Sequence, residues 1–131
     1  MTRKLTDKEF AAVSALPGPK RYSHFVKQVA DWEQVWSLRN VDGWVTSEDD
    51  NGRRTLPVWP HPRYAEACAS NEWSGTAPAS IVLTDWIEKW LPGMRADGLH
   101  VAVFPVSPEK SVVVSPDRLL HDLEIELERI E

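Results

Sequence analysis

Between Tyr22 and Leu38 the apolar residues change their spacing, and that change limits the chain to folds that mix helix and sheet. Tyr22, Phe25, Val29 and Trp32 recur at intervals of three, four and three, the repeat of one α-helical face. From Gln34 the interval falls to two, with Val35, Ser37 and Arg39 alternating against Trp36 and Leu38 as on a pleated strand. Neither a pure helical bundle nor a pure β-sandwich accommodates both periods in adjacent segments.

The flanking segments add elements of both kinds. Thr6-Asp7-Lys8-Glu9 is a capping box ahead of Phe10, Val13 and Leu16, opening a short helix that Pro17-Gly18-Pro19 ends. A second helix follows over residues 21–32. Val41-Asp42-Gly43 then turns the first strand into Trp44-Val45-Thr46, and Asn51-Gly52 suits the two positive-φ positions of a type I′ turn returning through residues 54–59. Pro57 has no N–H for a central ladder, so this strand is expected at a sheet edge. Pro62 starts a short helix reaching Ala69, Ile81-Val82-Leu83 reads as a brief strand, and Thr84 caps a helix over residues 85–91 that Pro92-Gly93 stops. Leu99 to Phe104 and Val112 to Val114 form a second hairpin across Ser107-Pro108-Glu109-Lys110.

The clearest element is the last. Ser115 is an N-cap type, Pro116 fits the first helical position, Asp117 favours the positive helix end, and Leu119, Leu120, Leu123, Leu127 and Ile130 make one stripe over residues 116–130. The pattern predicts an α+β fold: a mainly antiparallel sheet of two hairpins with helices on one face and a long C-terminal helix. A strict βαβ alternation with a Gly-rich phosphate loop is missing, which speaks against a Rossmann-like arrangement.

At 131 residues and 42% hydrophobic content, the chain is expected to form a single domain over residues 1–131. Twenty acids against fifteen bases give a net charge of −5, the wrong sign for affinity built on counterion release from nucleic acid. The one cysteine, Cys68, cannot make an internal disulfide, and neither a membrane-length apolar run nor a signal-peptide h-region is present. These readings lead to an expectation of a cytoplasmic protein that contacts neither membrane nor nucleic acid.

An ordered series of Trp and Pro words runs through the chain: Asp31-Trp32-Glu33-Gln34-Val35-Trp36-Ser37-Leu38, Gly43-Trp44, Leu56-Pro57-Val58-Trp59-Pro60-His61, Tyr64-Ala65, Trp73, Lys89-Trp90-Leu91-Pro92 and Ala102-Val103-Phe104-Pro105. Over about residues 20–127 this series resembles the bacterial domain-of-unknown-function family 2750. The resemblance implies a small bacterial cytosolic domain and transfers no catalytic residue or ligand.

Trp59-Pro60-His61-Pro62-Arg63-Tyr64 is the leading candidate site, because two prolines fix the backbone around an aromatic ring, an imidazole and a guanidinium. With Trp44 or Trp73 beside it, the loop offers a stacking surface and a cation for a carboxylate, phosphate or planar ring. The competing reading makes Trp59 and Tyr64 core residues and gives His61 a local hydrogen-bonding role. The second candidate is the terminal helix, where Asp117, Asp122, Glu124, Glu126 and Glu128 are expected opposite the leucine stripe and could steer a basic partner, although a solvated face has the same composition. His24, His61, His100 and His121 never fall at zinc-ligand spacing, Asp49-Asp50-Asn51-Gly52 lacks the acidic ligand that closes a calcium loop, and no Gly-x-Ser-x-Gly elbow is present. No metal, cofactor or catalytic residue is therefore assigned. The sequence favours a non-catalytic protein-interaction module, with an immunity- or antitoxin-like protein that binds and blocks a partner as the specific form. The alternative is a small-molecule-binding domain or an enzyme using the Trp59 to Tyr64 loop.

Overall fold

The computed structural model describes residues 4–70, 73–106 and 111–130. Its elements run α1 (Asp7–Ser14), α2 (Gly18–Trp32), β1 (Gln34–Asn40), β2 (Gly43–Trp44), β3 (Ser47–Glu48), β4 (Arg54–Val58), α3 (Pro62–Ala67) and β5 (Ala77–Val82). A helical run then comprises α4 (Leu83–Asp85), a π-helical segment (Trp86–Trp90) and α5 (Leu91–Asp97), before β6 (His100–Val103), β7 (Val112–Val114) and α6 (Pro116–Arg129). The fold is α+β.

Strands are ordered β2-β1-β5 in one sheet and β3-β4-β6-β7 in the other, and every pairing is antiparallel except β4 with β6. An isolated antiparallel bridge joins the two sheets: the Trp36 N–H donates to the Trp59 carbonyl at 2.9 Å and the Trp59 N–H to the Trp36 carbonyl at 2.8 Å. Alternation sorts the second sheet into two faces. Leu56, Val58, Val101, Val103 and Val114 enter the core, and Val112 lines a cleft between α2 and α6. Thr55, Pro57, Ala102 and Val113 line a smaller cleft beside Trp73 on the opposite face.

The terminal helices follow their local chemistry. Thr6 Oγ1 accepts from the Glu9 N–H at 3.1 Å, and Ser115 Oγ accepts from the Arg118 N–H at 3.1 Å, as the two cap readings require. Along α2, Tyr22, Phe25 and Val29 are buried but Trp32 is 40% exposed, and in α6 Leu119 and Leu123 are fully buried while Ile130, just past its end, is 53% exposed. Both apolar stripes thus leave the core about one turn before their last member.

Several local expectations need correction. Pro17-Gly18-Pro19 ends α1 but also opens α2, because Pro17 is the N-cap and Pro19 stands in the first turn, where no intrahelical N–H is needed. Asn51 does not have positive φ; Asp49 Oδ1 accepts from the N–H groups of Asn51 and Arg53, both at 2.9 Å, so side-chain bonding shapes a wider loop in which Gly52 alone takes φ 77°. β2 is shorter than expected, α3 ends at Ala67, and β5 runs from Ala77 to Val82, so that Leu83 is helical and Thr84 lies inside the helix instead of capping it. The turn over residues 107–110 lies outside the described residues.

Pro57 gives the most informative departure. Its strand is interior, not at an edge, yet β3 pairs only with Thr55 and Arg54 and stops before the proline. The Pro57 carbonyl instead accepts the buried Ser37 hydroxyl at 2.7 Å, and the missing N–H would have pointed to that same side, where a side chain replaces the ladder. Pro92-Gly93 likewise fails to stop its helix. The Leu91 N–H bonds to the Trp86 carbonyl five residues back, and this widened turn gives the Pro92 ring room and dispenses with its N–H. The run ends instead at Gly98 (φ 71°), with the Leu99 N–H returning to the Met94 carbonyl at 2.9 Å.

Candidate functional site

The parallel strands β4 and β6 end side by side, and the Trp59 to Tyr64 loop leaves the first of them next to Phe104-Pro105-Val106, which leaves the second. Trp59 is fully buried, and its indole N–H donates to the Pro105 carbonyl at 2.8 Å. Trp73 meets it edge-on at 6.0 Å between ring centres, and the Trp73 indole N–H is buried without a partner among the described residues. His61 is the N-cap of α3: its Nδ1 accepts the Arg63 N–H at 3.1 Å, so that nitrogen carries no proton. The Arg63 guanidinium donates to the Leu5 carbonyl at 3.2 Å and to Asp7 at 2.5 Å, and lies 4.5 Å from the centre of the Phe10 ring. Tyr64 is buried against Phe10 and Phe104, at 5.2 and 4.7 Å between ring centres. The side chains of the loop tie α1, α3 and the end of β6 together.

That end is strained. Phe104 has φ 55°, a conformation costing a non-glycine residue about 1–2 kcal/mol, and the nearly buried Arg21 holds it by donating from Nε to the Phe104 carbonyl at 3.1 Å and from a terminal nitrogen to the Leu16 carbonyl at 2.6 Å. Cys68 Sγ donates to the Pro105 carbonyl at 3.4 Å, and burial raises its pKa, so the thiol is packed and protonated. Trp44 is not part of this cluster: it stands edge-on to Trp90 at 5.1 Å, with Arg39 over its ring at 5.0 Å.

The acidic residues of α6 divide into two rows, because positions four apart share a helix face and positions two apart do not. Glu124 and Glu128 are exposed on the outer face. Asp122 and Glu126 instead turn toward α2, so the five acids do not form the single display expected from the sequence. Asp117 faces Arg95 at 3.6 Å.

Asp122 and Glu126 line the cleft between α2 and α6, with a volume of about 450 Å³. Asp122 accepts the Tyr22 hydroxyl at 2.5 Å and faces Arg118 at 3.6 Å; Glu126 faces Arg129 at 3.6 Å. The Arg118 guanidinium also lies 5.6 Å from the centre of the Tyr22 ring. Burial, followed by the hydrogen bond to Asp122, pushes the Tyr22 phenol well above its ordinary pKa, although Arg118 opposes the shift. Among the described residues no three His, Cys, Asp or Glu side chains converge in a metal-binding group, and no helix is long and apolar enough to cross a membrane.

Residues 22–123 match the family described as "Protein of unknown function (DUF2750)". The chain belongs to this family. No curated protein matches it significantly. The DUF2750 match spans the Trp59 to Tyr64 loop, Trp44 and Trp73, and from the cleft Tyr22, Arg118 and Asp122. It stops before Glu124, Glu126, Glu128 and Arg129, and α1, which Arg63 anchors, precedes it. The cleft was not foreseen as a site in this DUF2750 chain. Its one signal in the sequence is the four-residue spacing of Arg118, Asp122 and Glu126, which marks a shared face without saying what that face meets.

Proposed function

We propose that the protein is a non-catalytic interaction module of the cytoplasm, immunity- or antitoxin-like in action, that docks the outer face of α6 on a basic protein partner and blocks it. The observation that carries this reading is Ile125, 45% exposed on a helix whose neighbouring outward positions are the exposed Glu124 and Glu128. An apolar anchor beside charged rim residues is the common anatomy of a transient protein interface. The net charge of −5 adds long-range attraction to a basic surface. The alternative site at the Trp59 to Tyr64 loop draws less support, since Trp59, His61 and Arg63 already serve internal contacts.

The test is capture from the native cell with the wild-type chain and with Glu124→Lys/Glu128→Lys as baits, followed by association kinetics on the recovered protein. The expected partner is basic, its association rate falls as salt rises, and both charge reversal and Ile125→Ala weaken its binding. A captured partner whose association ignores salt and all three substitutions would remove this face from the interface.

A further inference from the structure

We propose that the cleft between α2 and α6 binds a small amphipathic anion, a compact apolar body carrying one carboxylate or phosphate head. The floor is apolar: the Tyr22 ring, Val26, Pro19 and Val112 line it. At about 450 Å³ it lies in the ordinary range for small-molecule sites. Its charges decide the sign of the ligand. Lys27, Arg118 and Arg129 line the cleft against Asp122 and Glu126, a local excess of one positive charge on a molecule of net charge −5.

Of the two carboxylates, Asp122 accepts the Tyr22 hydroxyl and faces Arg118, and Glu126 faces Arg129. The cations are less fully used. Lys27 has no ion-pair partner among the described residues, and the two arginines meet their carboxylates at 3.6 Å, beyond hydrogen-bonding distance, with side chains 65% and 67% exposed. Guanidinium groups with N–H donors to spare beside an apolar floor suit an anionic head, whereas a cationic ligand would have to compete with the Tyr22 hydroxyl at Asp122 and with the excess positive charge of the lining. The Tyr22–Asp122 bond and the Arg118 contact with the Tyr22 ring hold this side of the cleft in place before a ligand arrives.

The test is calorimetric titration of the full chain with 1-naphthoate and 1-naphthyl phosphate, alongside neutral 1-naphthamide and inorganic phosphate. At least one of the two amphipathic anions should bind saturably, one to one, and at least roughly tenfold more tightly than either control. Lys27→Glu/Arg118→Glu should weaken that binding by a similar factor, with a melting curve recorded to verify folding. Nuclear Overhauser contacts from the bound probe should reach the Val26 and Val112 methyl groups of the unmodified protein, which locates the site even if the variant does not fold. No saturable binding of either anion overturns the proposal, as does equal affinity for the neutral amide. Equal affinity for inorganic phosphate overturns the role of the apolar floor, and probe contacts confined to the Phe10 and Val106 side of the molecule place the ligand elsewhere.

Discussion

Arg63 ties α3 to the N-terminal segment through three contacts of one guanidinium: the Leu5 carbonyl, the Asp7 carboxylate and the Phe10 ring. The Asp7 pair is largely solvent-exposed and contributes little, so Arg63→Ala should destabilise by about 1–2 kcal/mol in total, chiefly by freeing α1. Hydrogen exchange should show α1 losing protection first, and unchanged protection there would mean that the three contacts hold nothing. Trp59→Ala, which removes a fully buried ring and its bond to Pro105, should cost about 3–5 kcal/mol in a denaturation experiment. Tyr22 sets a pH dependence. Its phenol is held above the ordinary pKa of about 10, so its contribution is fully present below that pH and is lost as pH rises, when the unfolded chain ionises first. Unfolding free energy should therefore fall more steeply above about pH 10 in the wild type than in Tyr22→Phe, and parallel slopes would contradict the assignment. At this scale the sequence reveals that Pro62 opens α3 directly after the Trp59-Pro60-His61 segment. It does not reveal that Arg63 reaches α1 or that Tyr22 meets Asp122 one hundred positions away, because no local spacing rule connects them.

The elements legible in the sequence are those whose determinants lie within them. Thr6 and Ser115 cap their helices as read, and the period-two pattern after Gln34 is a strand. Leu123→Ala should destabilise by about 2–5 kcal/mol and Ile130→Ala by less than about 0.5 kcal/mol, although both belong to one stripe in the sequence. Equal losses in thermal unfolding would move the assigned core face. Expectations fail where a neighbour overrides a local rule. Pro92 would end an isolated α-helix, but the π-helical turn before it absorbs the proline, and Gly98 does the terminating. Gly98→Ala should accordingly destabilise by about 1 kcal/mol or more, since φ 71° is strained for any residue with a Cβ. Pro92→Ala should change stability by less than Gly98→Ala, and the reverse order in paired melting curves would show that the proline still breaks the helix.

Across the whole molecule, the Trp36–Trp59 bridge and the Ser37–Pro57 bond join the two sheets, and one hydrophobic cluster reaches from Leu5 to Leu123. Denaturation followed by tryptophan fluorescence and by far-ultraviolet circular dichroism should give coincident midpoints; separated midpoints would show that the sheets melt independently. The fold class was readable from element types alone, but the strand order was not, because it rests on long-range pairs such as Leu56 with Val101. That parallel pairing also governs the order of assembly. Between β4 and β6 the chain builds α3, β5 and the whole helical run to Asp97, so this central ladder cannot close as a hairpin does and must await a long excursion. Loop-closure entropy opposes the step before its contacts compensate, so this pairing is expected later than the local hairpins. Until the ladder closes, Leu56 and Val58 have no partner strand and β6 is paired only with β7, and a nascent chain held at that stage is the form most prone to associate with its own kind.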